Sequence, residues 1–311
     1  MRSLVTGVDG FIGSWLAEAL VAAGDTVAGT TRGRGVSPHW TKYNCEMTNA
    51  ERVVQVLRET SPERVFHLAA TNNVAQSFAD PQATLEVNIG GAVNLFEAVR
   101  LYAPAACVIS VGSSAEYGTS SVLAPKLKET DPLAPTSPYG VSKAAQGQLA
   151  AVYAHAYGLR TIHVRPFAVI GPRKRADAVS DFCRGIVEIE QGRATELRTG
   201  NIDAVRDFVD VRDCAAALIA ISQNGPPGAV VNLCNGNGVP LRELLELLRR
   251  VSACDFVVTP STARRRAADD LCIVGDRSRL SSLGYLRKYS LDETLRLTLD
   301  YWRLHTTTAV E

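Results

Sequence analysis

Short apolar runs alternate with helical patterns through the first half of the chain. Residues 3–5 read as a strand, followed by a glycine-rich turn at 7–13 and a helix that runs through 23. A turn at Gly24-Asp25 leads into a second strand at 26–30. The pattern then predicts a helix at 50–59, a strand at 64–68, a long helix over about 80–102 and a strand at 106–110. A helix at 142–157 and a strand at 160–165 complete this half. Strands alternating with helices argue for an α/β fold, a doubly wound parallel sheet with helices on both faces. From about 171 the loops lengthen, and helices such as 180–191 and 241–251 stand apart. A smaller C-terminal substrate-binding region is expected there, with some late strands returning to the main sheet.

Composition narrows the partners. Hydrophobic residues make up 46% and charged residues 21% of 311, enough for a sizeable core. A net charge of +1 gives no basic field for nucleic acid or an anionic membrane. No apolar run is long enough to span a bilayer. No signal peptide precedes the first strand, so a cytoplasmic location is expected. Seven scattered cysteines, an odd number without a CxxC pair, indicate neither a disulfide framework nor a zinc site.

Chemistry enters with the turn Gly7-Val8-Asp9-Gly10-Phe11-Ile12-Gly13. Gly7 permits a tight turn, Gly10 lets backbone approach a pyrophosphate, and Gly13 lets the helix pack close to the strand. The pyrophosphate would sit on unpaired N–H groups at the helix N-terminus. At the end of the second strand, a carboxylate would accept bonds from a ribose 2′-hydroxyl and repel a 2′-phosphate. Thr30-Thr31-Arg32-Gly33-Arg34 holds no acid, and Asp25 comes too early. Arg32 and Arg34 can pair with phosphate, so NADP(H) is expected ahead of NAD(H); otherwise the two are ordinary surface charges.

Tyr139 and Lys143 stand four apart, on one face of a helix. A neighbouring ammonium favours the phenolate and would lower the tyrosine's value toward neutrality. Ser113 lies just past the 106–110 strand, at its carboxyl end, where ligands bind in open α/β sheets.

These segments come in a recognisable order: Thr6-Gly7 with Gly10-Phe11-Ile12-Gly13, His67-Leu68-Ala69-Ala70, Ser113-Ser114-Ala115-Glu116-Tyr117-Gly118, Ser137-Pro138-Tyr139-Gly140-Val141-Ser142-Lys143, Arg165-Pro166-Phe167, and Arg206-Asp207-Phe208-Val209-Asp210. Together they resemble the extended short-chain dehydrogenase/reductase family of sugar-nucleotide epimerases, dehydratases and reductases. Within it, the likeness is greatest to reductases of GDP-linked 4-keto-6-deoxyhexoses. It rests on Gly112 to Gly118, Ser180-Asp181-Phe182 and Arg266-Ala267-Ala268-Asp269. The resemblance implies a Rossmann-type cofactor domain at 1–170 and a mainly sugar-nucleotide-binding region at 171–311. It implies that Ser113, Tyr139 and Lys143 form a catalytic triad. Gly7, Gly10, Phe11, Ile12, Gly13, Leu68, Ala69 and Ala70 would line the cofactor, joined by Tyr139 and Lys143. Ser114, Arg206, Arg266 and Asp269 would contact the substrate, with Arg206 on its diphosphate. The bland alternative for Arg206 is a salt bridge to Asp207 or Asp210. No metal is implied.

Two departures narrow the reaction. Family dehydratases carry a glutamate, the general base for elimination, where this chain has Ala115. Relatives commonly have asparagine where Ala168 stands. In the Pro172-Arg173-Lys174-Arg175 loop that follows, one cation is a candidate phosphate contact, or else the loop is simply exposed. Ketone reduction with NADPH is the leading expectation, with 4-epimerisation the alternative. Dehydration and a catalytically idle NADP-binding protein rank below. The helices at 80–102 and 142–157 predict a homodimer.

Overall fold

The structure is a computed structural model that describes residues 1–33, 37–122, 125–261 and 272–306. The first half runs β1 (Arg2–Thr6), α1 (Phe11–Ala22), β2 (Thr26–Thr31), β3 (Thr41–Asn44), α2 (Ala50–Thr60), β4 (Arg64–His67), α3 (Val74–Ala79), α4 (Pro81–Leu85), α5 (Gly91–Tyr102), β5 (Cys107–Val111), α6 (Pro138–Tyr157) and β6 (Thr161–Pro166). The second half runs β7 (Ala168–Ile170), α7 (Ala178–Glu190), β8 (Glu196–Thr199), β9 (Val205–Arg206), β10 (Phe208–Asp210), α8 (Val211–Asn224), β11 (Val230–Leu233), β12 (Val239–Pro240), α9 (Leu241–Val251), β13 (Val257–Pro260), β14 (Cys272–Ile273), α10 (Ser278–Ser282) and α11 (Leu291–His305).

Seven strands make one parallel sheet in the order β11-β6-β5-β4-β1-β2-β3. β4, β5 and β6 are buried along their whole length, as strands covered on both faces must be. On one face, Leu16 and Leu20 of α1 and Leu218 and Ile221 of α8 pack over Val5, Ile109 and Val164. On the other, Val53 and Leu57 of α2, Leu95 and Phe96 of α5 and Tyr153 of α6 cover Leu4, Val65 and Val108. This is the doubly wound sheet that the alternating pattern predicts. A separate apolar cluster joins Phe182 and Ile186 of α7, Leu244 and Leu248 of α9, and Leu295 and Leu299 of α11.

The long helix expected over 80–102 is broken. α4 passes into a π-helical turn at Glu86–Gly90 before α5 begins. The wide turn turns Asn88, which is fully buried, out of the helical ladder. Its amide accepts from Thr71 N (2.8 Å) and donates to Thr71 O (3.0 Å) and Ser142 Oγ (2.8 Å). Ser142 Oγ in turn donates to the carbonyl of Tyr139 (2.7 Å). Asn88 thus fastens the loop after β4 to the first turn of α6. α6 itself starts at Pro138 rather than 142 because Ser137 caps Gly140 N (3.1 Å) and proline suits the first helical position. Edge strand β3, half polar, has no counterpart in the sequence expectations.

Candidate active site

The glycine turn and the loop after β4 meet at the carboxyl ends of β1 and β4. Gly7 has φ +70°, and a Cβ there would lie 3.0 Å from Ala69 Cα and N. Thr6 Oγ1 accepts from Leu68 N and Ala69 N (3.1 Å each) and donates to His67 Nδ1 (2.9 Å). Ala70 follows in the same loop. Gly10 is the N-cap of α1 and has no side chain to bond the first turn, which contains no acid. The N–H groups of Phe11, Ile12 and Gly13 therefore have no intrahelical acceptor, and they point where an anion is stabilised. Close glycine backbone and open N–H groups at a helix start fit a dinucleotide pyrophosphate.

Ser113, Tyr139 and Lys143 come together at the ends of β5 and α6. Ser113 caps a short 3₁₀ turn, Ser114–Glu116, and its Oγ accepts from Ala115 N (3.1 Å). A side-chain hydrogen bond links Ser113 to the Tyr139 phenol. Burial pushes that phenol up to about 12; the Ser113 bond opposes this, and the charge of Glu116 adds to it. Lys143, 3% exposed, donates to Val111 O and Gln146 Oε1, both at 2.9 Å. Burial pushes its ammonium down to about 8, against the pull of Glu116. The expected lowering of Tyr139 by Lys143 is thus not what this arrangement shows. The ammonium faces a carbonyl and an amide, and desolvation decides the phenol's value. At that value the Tyr139 phenol carries its proton at neutral pH.

At the end of β2, one of the two expected arginines is described. Arg32 is exposed there, and Arg34 lies outside the described residues. An acid does reach this place, from the glycine turn. Asp9 accepts from Thr31 Oγ1 (2.5 Å) and pairs with Lys42 of β3 (2.6 Å). Burial raises the Asp9 carboxyl, but bonds from Lys42 and Thr31 outweigh this and hold it below its usual value. Only the parallel pairing of β1 with β2 brings Asp9 beside Thr31, which no local run of sequence marks.

Ser114 lies half-buried beside Ser113. Arg206 sits in β9 between β12 and β14 and donates to Val205 O (2.9 Å). Neither acid suggested as its bland partner has its carboxylate waiting for it. Asp207 accepts from the N–H groups of Asn235, Gly236 and Gly275, and Asp210 pairs with Arg212 (2.7 Å). Arg266 and Asp269 lie outside the described residues. Ala168 is half-buried at the start of β7, and its N–H donates to Asp207 O (3.0 Å). In the loop after it, Arg173 pairs with Glu18 (2.6 Å) over the Trp15 ring, and Lys174 pairs with Asp177 (3.0 Å). Those two cations have protein partners. Among the described residues no group of His, Cys, Asp and Glu could hold a metal, and no helix is long and apolar enough to cross a membrane.

The sequence model of the family described as GDP-mannose 4,6 dehydratase matches residues 4–298. The chain belongs to this family. Its relatives of the extended short-chain dehydrogenase/reductase type divide by reaction. GDP-6-deoxy-D-mannose reductase of Pseudomonas aeruginosa is 31% identical over 304 residues, 97% of each chain. The solved structure of RMD from Pseudomonas aeruginosa with NADPH superposes with a TM-score of 0.85 at 28% identity, covering 98% of this chain and all of that one. UDP-glucose 4-epimerase of Thermus thermophilus with NAD superposes with a TM-score of 0.87 at 30% identity, covering all of both chains. The protein is therefore an enzyme of nucleotide-sugar modification that uses a nicotinamide dinucleotide.

Proposed function

We propose that the enzyme reduces the C4 ketone of a nucleotide-linked 4-keto-6-deoxyhexose, of the GDP-4-keto-6-deoxymannose type, with NADPH. One observation carries the choice of reaction. The only carboxylate in the Ser113–Tyr117 segment, Glu116, is turned inward and fully bonded, and Ala115 has none to offer. Elimination needs a second base at the sugar, and this turn supplies none. Reduction needs only an acid.

The nicotinamide, when bound, supplies the hydride. Tyr139 gives its proton to the carbonyl oxygen. Ser113, with its oxygen already accepting from Ala115 N, turns its own proton to the same oxygen. Lys143, held by Val111 and Gln146, supplies a positive charge from the same helix as the phenol. Gly7, Gly10, Gly13, Phe11, Ile12, Leu68, Ala69 and Ala70 would hold the dinucleotide, and Ser114 and Arg206 the sugar nucleotide. Residues 1–170 then serve the cofactor and 171–311 mainly the substrate. Arg32, exposed just past β2, supports a 2′-phosphate, and Asp9 is already paired with Lys42. Epimerisation would use the same triad, but its first step takes a proton from the substrate. Leu101 and Tyr102 at the end of α5 and Val152 and Tyr157 on α6 are exposed and support a homodimer, which light scattering would read as twice the chain mass.

The test is absorbance of NADPH with GDP-4-keto-6-deoxymannose, beside NADH and the Tyr139→Phe variant. Loss of absorbance equal to product formed, abolished in the variant, supports the reading. Conversion of the sugar without loss of absorbance refutes it in favour of epimerisation.

A further inference from the structure

Behind the triad runs a chain of buried polar groups whose purpose the reaction scheme leaves unexplained. Glu116 is fully buried. Its Oε1 accepts from Ser113 N (2.9 Å) and from His163 Nε2 (2.9 Å), and its Oε2 accepts from Arg165 Nε (2.8 Å). On the far side of the imidazole, His163 Nδ1 lies 3.2 Å from Ser110 Oγ. Ser110 Oγ accepts from Gln146 Nε2 (2.9 Å), and Gln146 Oε1 accepts from Lys143 Nζ (2.9 Å). All six side chains are under 5% exposed.

One assignment of hydrogens gives every donor an acceptor. Lys143 donates to Gln146, Gln146 to Ser110, Ser110 to His163 Nδ1, and His163 Nε2–H to Glu116. Every bond then points the same way, from an ammonium to a carboxylate, and bonds aligned in this manner strengthen one another. The backbone makes room for the chain. A Cβ at Gly147 would fall 2.7 Å from His163 Nε2, and one at Gly112 would overlap both His163 and the Glu116 carboxylate. Burial alone would raise the Glu116 carboxyl, but His163 and Arg165 hold it below its ordinary value. Arg165 is itself tied to Tyr117 Oη (3.0 Å), which donates to Asn232 Oδ1 (2.7 Å), so the anion is braced from both sides.

We infer that Glu116 is a positioning residue for the proton-donating triad: it clamps the Ser113 backbone directly and holds the Lys143 ammonium through His163, Ser110 and Gln146. One buried charge thereby couples the two groups that flank Tyr139. The charged and titratable groups that face Glu116 are His163 and Arg165 from β6 and Lys143 and Tyr139 from α6. His67 of β4, which also feels the Lys143 charge, is pushed down to about 3 by its burial, so it stays neutral. The electrostatic consequence favours reduction. An anion behind the triad keeps both the phenol and the ammonium protonated, the state that a donor needs and a base does not.

The inference rests on the reading of Tyr139 as proton donor, so its test includes a readout that needs no substrate. The protein has six lysines. In protein labelled with ¹³Cε-lysine, the Lys143 signal, assigned by Lys143→Arg, titrates near 8 in the wild type. Glu116→Gln keeps the shape and removes the charge. The Lys143 midpoint falls, NADPH affinity measured by fluorescence stays near that of the wild type, kcat drops ~10-fold or more while KM holds, and the alkaline limb of the kcat profile moves to lower pH. Ser110→Ala, a milder change, cuts the chain and leaves the charge in place, so kcat falls with KM unchanged. A folded Glu116→Gln protein with the wild-type Lys143 midpoint overturns the inference. Should Glu116→Gln fail to fold, Ser110→Ala at wild-type kcat overturns it instead. A wild type that reduces no nucleotide-linked 4-keto sugar but whose Lys143 midpoint responds to Glu116→Gln refutes the proposed reaction and leaves the coupling standing.

Discussion

Asn88→Ala removes the bolt between the loop after β4 and the helix that carries Tyr139 and Lys143. Three hydrogen bonds disappear, two to the Thr71 backbone and one to Ser142. The Thr71 N–H and C=O are half-buried, so water restores part of their loss, whereas Ser142 Oγ is fully buried and loses its donor outright. An unsatisfied buried group costs ~1–3 kcal/mol, and a small void adds to it, so the total comes to about 2–4 kcal/mol. Equilibrium unfolding in urea should show that difference at unchanged slope. Asn88→Asp keeps one acceptor but buries a charge, so it should be at least as damaging. The functional effect follows from Ser142 Oγ, which donates to Tyr139 O. With that turn loosened, kcat should fall about tenfold, which is ~1.4 kcal/mol of barrier, at unchanged KM. A destabilisation under about 0.5 kcal/mol together with wild-type kcat would refute the idea that the π-turn exists to present Asn88.

Three further outcomes follow. Gly13→Ala places a methyl 3.1 Å from Gly7 C and Val8 Cα and into the Gly7 carbonyl oxygen, so α1 must retreat. Isothermal titration should show NADPH bound about 10–100-fold more weakly, and unchanged affinity would contradict the assigned pyrophosphate site. Asp9→Asn removes a partly exposed carboxylate and frees Lys42, so the NADPH-to-NADH preference should rise about twofold to fivefold, read from the two kcat/KM values. His67 ordinarily titrates near 6.5 but is held near 3 by burial, so between those values the unfolded chain binds more protons. Stability is therefore lost as pH falls from 6.5 toward 3, by at most ~1.4 kcal/mol per pH unit from this group. His67→Gln should flatten that slope in urea melts taken between pH 7 and 5, and an unchanged slope would assign it to other groups.

The parts of the molecule that were legible in the sequence are those set by local rules. Buried parallel strands carry short apolar stretches, so Leu4-Val5 of β1, Val65-Phe66 of β4, Val108-Ile109 of β5 and Ile162 and Val164 of β6 mark the sheet, and a turn that must approach another backbone has to carry glycine, so Gly7, Gly10 and Gly13 stand out. The tyrosine and lysine are four apart on one helix, so their common face needs no tertiary information. What was not legible depends on pairing across the sheet. Asp9 reaches the end of β2 only because β1 and β2 align in register. Glu116 has no partner within its own segment's side chains that would mark its role; β6 supplies its partners in His163 and Arg165. The break at Asn88 is hidden because the residues on either side have ordinary helical patterning, and the backbone that Asn88 bonds, that of Thr71, lies 17 residues away. Lys143 looked like the group that would acidify Tyr139, but the geometry sends its ammonium to Val111 and Gln146, which no spacing rule foretells.

The most direct test of the account is the fate of the hydride. With NADPH carrying deuterium on the transferred position and a GDP-4-keto-6-deoxyhexose as substrate, NMR of the product should show one deuterium, at C4, in an amount equal to the NADPH consumed. Product free of deuterium, or carrying it at another carbon, would contradict ketone reduction at C4.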